Sequence, residues 1–336
     1  MSITEIAKMA NVSKMTVSNV INKRYSKVSK ATREKVERII QETNYTPNLF
    51  ARNLKSSSSK IILLAIPQTI DNDPNKDTAF DNPFYGELIN SVETNLRKAG
   101  YYLMFRFVND DEILSNLVVN WNIDGVIILG AIKKEIRTIF RDIDVPVVFI
   151  DTYADIDDSD TIITEDLLGA QMATQYLIQS GHQKIGIVTS STKEVGVASK
   201  RFDGYRKALK DANIPFHKER VLESFPSYES GILVGHELAQ RESEFDAVFV
   251  YSDLMAIGVI KGLKDKGIRI PRDIAVIGFD GLYIGELCEP KLTTIKQNVT
   301  DKGKMAVDLM TRKLSGESTK IERLVLPVTF VKKESA

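Results

Sequence analysis

Residues 2–22, SITEIAKMANVSKMTVSNVIN, decide how the N-terminal end folds. Ser2 is placed to cap a first helix, and Glu5 three residues on completes a capping box. Ile3, Ile6 and Ala7 recur at helical spacing and give that helix one apolar face. Asn11-Val12 interrupts the pattern. Ser13 then caps a second helix whose inward face is Val17, Val20 and Ile21. Lys14, Met15, Thr16, Ser18, Asn19 and Asn22 are left pointing outward. Small, polar and basic side chains on an exposed helix can reach base edges in a major groove, so the segment reads as a helix-turn-helix that contacts DNA. The alternative is a helical hairpin with a solvated face.

Tyr25-Ser26-Lys27 reads as a loop, and Ser29 caps a third helix whose buried stripe is Val36, Ile39 and Ile40. The first sixty residues carry twelve Lys or Arg against four Glu, a net of +8 that the remainder balances with −8. The neutral total thus conceals a strongly polar chain. Its basic end suits phosphate, where counterion release supplies affinity.

Residues 2–54 resemble the headpiece of the LacI/GalR family of bacterial transcription regulators. The matching residues are Ile6-Ala7, Ala10, Val12-Ser13, Thr16-Val17-Ser18, Val20, Asn22, Val28-Ser29, Thr32-Arg33, Val36, Asn44-Tyr45, Pro47-Asn48, Ala51-Arg52 and Leu54. The resemblance assigns DNA contacts to Ser13, Lys14, Met15, Thr16, Ser18, Asn19, Asn22, Asn48, Ala51 and Leu54. Residues 47–59, PNLFARNLKSSSS, form the joint to the rest of the chain. NLFARNL is barely two helical turns, marginal in water unless something packs on it. The resemblance makes it a hinge helix that folds on DNA and pushes Leu54 into the minor groove as an apolar wedge. The four serines that follow read as flexible linker, and a plain linker throughout is the alternative.

From Lys60 onward, short apolar runs alternate with helical stretches. IILLAIP (61–67), YYLMFRF (101–107), DGVIIL (124–129), VPVVFI (145–150), KIGIVT (184–189), DAVFVY (246–251) and IAVIGF (274–279) suit parallel strands buried on both faces. YGELINSVETNLRKAG and LLGAQMATQYLIQSG are helices ending in Gly. The alternation predicts doubly wound α/β architecture. Residues 60–336 are too many for one core, so two lobes are expected, with the break near 155–162, where DIDDSDT is short and acidic. The resemblance adds that similar lobes are joined by crossovers and that the C-terminal segment returns to the first. The predicted division is a helix-turn-helix headpiece (1–46), a hinge and linker (47–59) and a two-lobed, periplasmic-binding-protein-like domain for ligand binding and dimerisation (60–336). Lobe 1 takes about 60–160 plus 293–320, and lobe 2 about 161–292 plus 321–333.

No N-terminal apolar stretch reads as a secretory signal, no run is long enough to span a membrane, and Cys288 is the single cysteine. A cytoplasmic protein is expected. No phosphate loop, dinucleotide fingerprint or nucleophile elbow occurs, and His182, His217 and His236 are scattered, so neither an enzyme nor a cofactor is predicted. DNDPNKDTAFDN (71–82) has acids at calcium-loop spacing but carries Lys76 and Asn82 where Gly and Glu are needed. It reads as a long acidic loop.

Ligands of open α/β sheets sit beyond the carboxyl ends of the strands. The candidates there are Asn82, Phe84, Tyr85, Asp151, Ser252, Asp253 and Asp280, with Arg201 at a helix start and Phe225 as a stacking face. The resemblance puts a polar clamp for a sugar or nucleobase at Asp151, Arg201 and Asp280. Carboxylates and an arginine can hold several hydroxyls by charge-assisted bonds. Alternatively, an Asp after a strand caps the next helix or turn, and Arg201 pairs with a nearby acid such as Asp203. Asn19 departs from the Arg or His common at that recognition-helix position, and Asn pairs well with adenine. Ser252 stands where sugar-binding members often have Asn, and Glu165-Asp166 where many have Asp-Asn. The expected protein is a homodimeric or larger repressor of operator DNA, controlled by a sugar-like small molecule. A solute-binding module without DNA regulation and a sugar-converting α/β enzyme are the alternatives.

Overall fold

The computed structural model describes residues 1–45, 58–67, 82–108, 114–131, 135–136, 139–140, 142–154 and 159–336. Contacts divide the chain into Met1–Ser59 and Lys60–Ala336. The predicted hinge residues Asn48, Ala51 and Leu54 and most of the acidic loop, 71–81, lie outside the described residues.

Among its described residues the N-terminal unit holds three α-helices, α1 (Ile3–Ala10), α2 (Lys14–Ile21) and α3 (Lys30–Glu42), and Tyr25–Lys27, read from sequence as a loop, forms a single 3-10 turn between α2 and α3. The capping box forms as the spacing predicts, with Ser2 N donating to Glu5 Oε2 at 2.6 Å and Glu5 N to Ser2 Oγ at 3.3 Å. Asn11 closes α1 in the left-handed region at φ +51°, which an Asn tolerates. Ser13 and Ser29 cap α2 and α3 by accepting from Thr16 N and Thr32 N. Ile6, Ala7, Ala10, Val17, Val20, Val36 and Ile39 form one small buried core.

The larger unit contains two six-stranded sheets. The first comprises β1 (Ile61–Pro67), β2 (Tyr102–Val108), β3 (Gly125–Leu129), β4 (Val147–Ile150), β5 (Asp160–Thr164) and β11 (Arg323–Leu326). The second comprises β6 (Ile185–Thr189), β7 (Val221–Glu223), β8 (Ala247–Val250), β9 (Ala275–Asp280), β10 (Thr293–Gln297) and β12 (Val328–Val331). Their orders are β2-β1-β3-β4-β5-β11 and β7-β6-β8-β9-β10-β12. All pairings are parallel except β10 with β12. Each lobe therefore repeats the doubly wound 2-1-3-4-5 order and adds one strand from the C-terminal segment. The central runs are fully buried, as near-continuous apolar strands require. β2 is only half-buried because it lies at the sheet edge.

The lobe boundaries differ from those read in the sequence. The first crossing falls at Glu165, because Asp160–Thr164 pairs with β4 and so belongs to the first sheet. Thr293–Gln297 belongs to the second sheet, where it pairs with β9, and Arg323–Leu326 to the first, where it pairs with β5. Sheet membership is fixed by which exposed edge a strand can pair with, and chain order does not reveal that.

Helices cover both faces. α4 (Pro83–Lys98) and α11 (Val299–Leu314) pack together on the first sheet through Leu88, Val92, Leu96, Val299, Ala306 and Met310. α5 (Leu114–Trp121) covers its other face. On the second sheet, α6 (Asp166–Gln179) and α7 (Val197–Asp211) lie on one face, with α8 (Tyr228–Gln240) and α9 (Asp253–Asp265) on the other; the short α10 (Ile284–Leu287) follows β9. A Cβ on Gly258 would stand 2.2 Å from Tyr228 O and one on Gly235 2.5 Å from Val259 O, so α8 and α9 approach backbone to backbone. That seam seats the start of α9, beside Ser252, at the mouth of the cleft.

Candidate functional site

On α2, Lys14, Met15 and Asn22 are exposed and Thr16, Ser18 and Asn19 half-buried, while Val17 and Val20 face the core. Three of these side chains, Thr16, Ser18 and Asn22, are tied down, Thr16 by the cap residue Ser13. Ser13 Oγ and Thr16 Oγ1 lie 2.9 Å apart, and Asn22 Nδ2 donates to Ser18 O at 2.8 Å and Ser18 Oγ at 3.3 Å. Lys14, Met15 and Asn19 make no such side-chain bonds and form the presented edge of the helix. The guanidinium of Arg33 stacks 3.7 Å above the Tyr25 ring, and its Nε donates to Glu37 at 2.8 Å. This ties the loop after α2 to α3.

In the larger unit, a cavity of about 180 Å³ opens where the strands of both sheets end. Ile66, Pro67, Leu129 and Gly130 come from the ends of β1 and β3, and Ser190, Tyr251 and Ser252 from the ends of β6 and β8. These are the two switch points, where adjacent crossovers leave in opposite directions and open a crevice. Of the residues predicted from sequence, Asn82, Phe84, Tyr85, Asp151, Arg201, Ser252 and Asp280 line it. Asn82 also caps α4, accepting from Phe84 N at 3.0 Å. Two predictions are corrected. Phe225 is not among the lining residues, because β7 is the outermost strand and the loop after it lies one strand too far out. Asp253 is fully buried behind the wall, accepting from Thr294 Oγ1 at 2.6 Å and Leu282 N at 2.8 Å, and so fixes the turn after β9.

A continuous polar network backs the cavity. Tyr153 donates to Thr164 O at 2.9 Å and to Asp166. Arg201 Nε donates to Asp166 Oδ1 at 2.7 Å and its Nη1 to Tyr251 O and, at 3.4 Å, to Asp280 Oδ1. Its guanidinium lies 3.6 Å over the Phe279 ring. Gln297 Nε2 donates to Asp280 Oδ1 at 2.7 Å, and Lys302 Nζ donates to Gln297 Oε1 at 2.7 Å and to both oxygens of Asp151 at 2.8 and 2.6 Å. Asp151 and Asp280 both hold positive φ, +51° and +128°. Such backbone costs of order 1–3 kcal/mol and persists where the surroundings dictate it.

Burial raises the Asp151 carboxyl above its ordinary value against the opposing charge of Lys302. Burial pushes Asp280 up to about 6, opposed by Arg201 and the Gln297 amide, and pushes Asp253 up to about 7 with the help of the Asp280 charge. For Arg201, burial works against the charge, but Asp166 and Asp280 outweigh it and leave the value above the ordinary one.

Sequence reasoning missed Gln297 and Lys302, and it named Asp166 only as half of the Glu165-Asp166 departure from the family pattern, without a site role. Gln297 ends the strand TTIKQ, a position of the same kind as Asp280. Lys302 had one signal: it lies on the buried stripe of α11 with Val299, Ala306 and Leu309, an inward place for a lysine.

A helix-turn-helix unit preceding a two-lobed ligand cleft defines a class, and comparison with known proteins agrees. Residues 2–48 match the model for bacterial regulatory proteins of the lacI family, and residues 174–336 that for the periplasmic binding protein-like domain. The chain belongs to the lacI family. It is 34% identical over 336 residues to the ribose operon repressor of Haemophilus influenzae, covering 98% of this chain and 97% of that one. Its fold matches the lac repressor dimer bound to operator and the anti-inducer ONPF, with a TM-score of 0.85 and 26% identity over 100% of this chain and 98% of that one. A lacI-family regulator of Enterococcus faecium with bound ribose matches at TM-score 0.71 and 26% identity, over 82% of this chain and 98% of that one. Among the described residues no helix is long and apolar enough to cross a membrane.

Proposed function

We propose that this protein is a transcriptional repressor that binds a near-palindromic operator as a dimer and is controlled by a small neutral sugar held between its lobes. The observation that carries the reading is the convergence of Asp151, Arg201, Asp280 and Gln297, from different strand and helix ends, on one cavity of about 180 Å³. That is below the several hundred Å³ of drug-sized sites and suits a monosaccharide. Hydroxyls can donate to the carboxylates and accept from the guanidinium, while Phe84 and Tyr85 offer apolar faces. Asp151 comes from the first lobe and Asp280 from the second, so a ligand touching both prefers one lobe arrangement and shifts that equilibrium. Lys14, Met15 and Asn19 are the proposed readers of the major groove, with Leu54 the wedge in the minor groove.

Footprinting the full-length protein on DNA upstream of its own gene tests the reading. One protected site with two half-sites is expected, its occupancy changing on titration with neutral pentoses and hexoses, D-ribose among them. Absence of any protected site for an intact, dimeric protein would overturn it.

A further inference from the structure

Lys302 is fully buried, yet it does not line the cavity. It stands directly behind three residues that do: it bonds Asp151 and Gln297, and its ammonium lies 5.4 Å from the Phe84 ring. A lysine ammonium has three donors. Here they face three acceptors, Asp151 Oδ1 at 2.8 Å, Asp151 Oδ2 at 2.6 Å and Gln297 Oε1 at 2.7 Å. The last bond settles which way the Gln297 amide points. With its oxygen taken by Lys302, its N–H₂ turns to Asp280, 2.7 Å away. One concealed cation thus acts on carboxylates in both lobes.

We propose that Lys302 is a positioning residue that sets the hydrogen-bonding polarity of the cavity. It keeps Asp151 a pure acceptor and holds the Gln297 amide toward Asp280, which restricts the site to neutral, hydroxyl-donating ligands and rejects anionic ones. The inference rests on the reading of this cavity as the sugar site. Its logic is charge balance. The cations of the network are Lys302 and Arg201, and each is flanked by carboxylates: Asp151 for the first, Asp166 and Asp280 for the second. A phosphate or carboxylate entering the cavity would meet those carboxylates with both cations already matched. Without Lys302, Asp151 would be a buried carboxylate facing Asp166 and Arg201 from the second lobe, with the Tyr153 hydroxyl committed to Asp166. Such a group takes up a proton and turns from acceptor into donor.

The test compares full-length wild type with Lys302→Met, Lys302→Arg, Asp151→Asn and Asp151→Asn/Lys302→Met. Calorimetry would follow binding of neutral pentoses and hexoses, D-ribose included, and of their terminal phosphate esters at pH 7 to 9. Wild type should bind a neutral sugar at least tenfold more tightly than its phosphate, with a flat pH profile. Lys302→Met should bind the sugar at least tenfold more weakly at pH 7 and recover affinity toward pH 9, and Lys302→Arg should restore most of the loss. In thermal melts without ligand, Lys302→Met should lower the midpoint by several degrees in wild type and by much less in Asp151→Asn. Unchanged binding and pH profile in Lys302→Met would overturn the proposal, as would equal losses in the Met and Arg variants, equal binding of the phosphate, or additive melts. Wild type that binds no sugar tested would overturn the reading of the cavity instead, while the melts still decide whether Lys302 governs Asp151.

Discussion

Arg201 pairs with Asp166, Nε to Oδ1 at 2.7 Å, across 35 residues and from the body of the second lobe to the first helical residue after the chain crosses into it. The nearby Asp203, an alternative partner in sequence, is two positions away on the same helix. Side chains two apart on a helix do not face each other. The pair fixes the guanidinium at the mouth of the crossover, with its second edge turned to Tyr251 and Asp280.

Arg201 should therefore matter to both fold and ligand response. Removing one partner of a buried ion pair costs roughly 3–5 kcal/mol, so Arg201→Ala should melt earlier as well as lose its response. Arg201→Lys keeps the charge but loses the planar fork. It should fold, bind operator, and respond to ligand at least tenfold more weakly, about 1.4 kcal/mol. Melts beside a ligand titration of operator occupancy check this. A normal response in Arg201→Lys would remove the guanidinium from the effector site.

Asn19 should read sequence. Its side chain is among those on α2 with no internal partner, and Asn pairs well with adenine. Asn19→Ala should cost about 1–3 kcal/mol on the specific site and little on random DNA, measured by fluorescence anisotropy at fixed salt. An equal loss on both sequences would reduce Asn19 to a backbone contact.

Residues 60–336 should fold without the headpiece, because the division after Ser59 leaves each hydrophobic core whole. A protein starting at Lys60 should keep a cooperative melt and ligand affinity within about twofold of the full chain, and lose operator binding. Aggregation on expression would count against two independent cores.

Stability should fall as pH rises through neutrality. Asp280 and Asp253 sit at about 6 and about 7 in the folded state, above an unfolded value of 3.8. The folded state then binds more protons than the unfolded one between pH 4 and 7. The contribution is fully present below about pH 4, declines as pH rises through the folded values, and is flat only above about pH 8. The thermal midpoint should drop between pH 6 and 8, and Asp253→Asn should flatten that drop. An unchanged slope in the variant would show that other groups set the profile.

The headpiece was legible residue by residue, from Ser2 and Glu5 through Val17 and Val20 to Ser29, because caps and helical periodicity are local and each acts within four residues. Most central strands were legible as well, since strands buried on both faces must be continuous apolar runs. The strand-end positions of Asp151 and Asp280 followed from the same pattern. Tertiary structure alone decided which sheet each late strand joined, as Thr293–Gln297 and Arg323–Leu326 demonstrate, because that depends on edges left open elsewhere. It alone separated Asp280, which faces the cavity, from Asp253, which the same sequence logic had placed beside it. And it alone brought Lys302 to Asp151 across 151 residues, since a buried charge is tolerated only where a distant partner meets it, and no local pattern encodes where that partner will be.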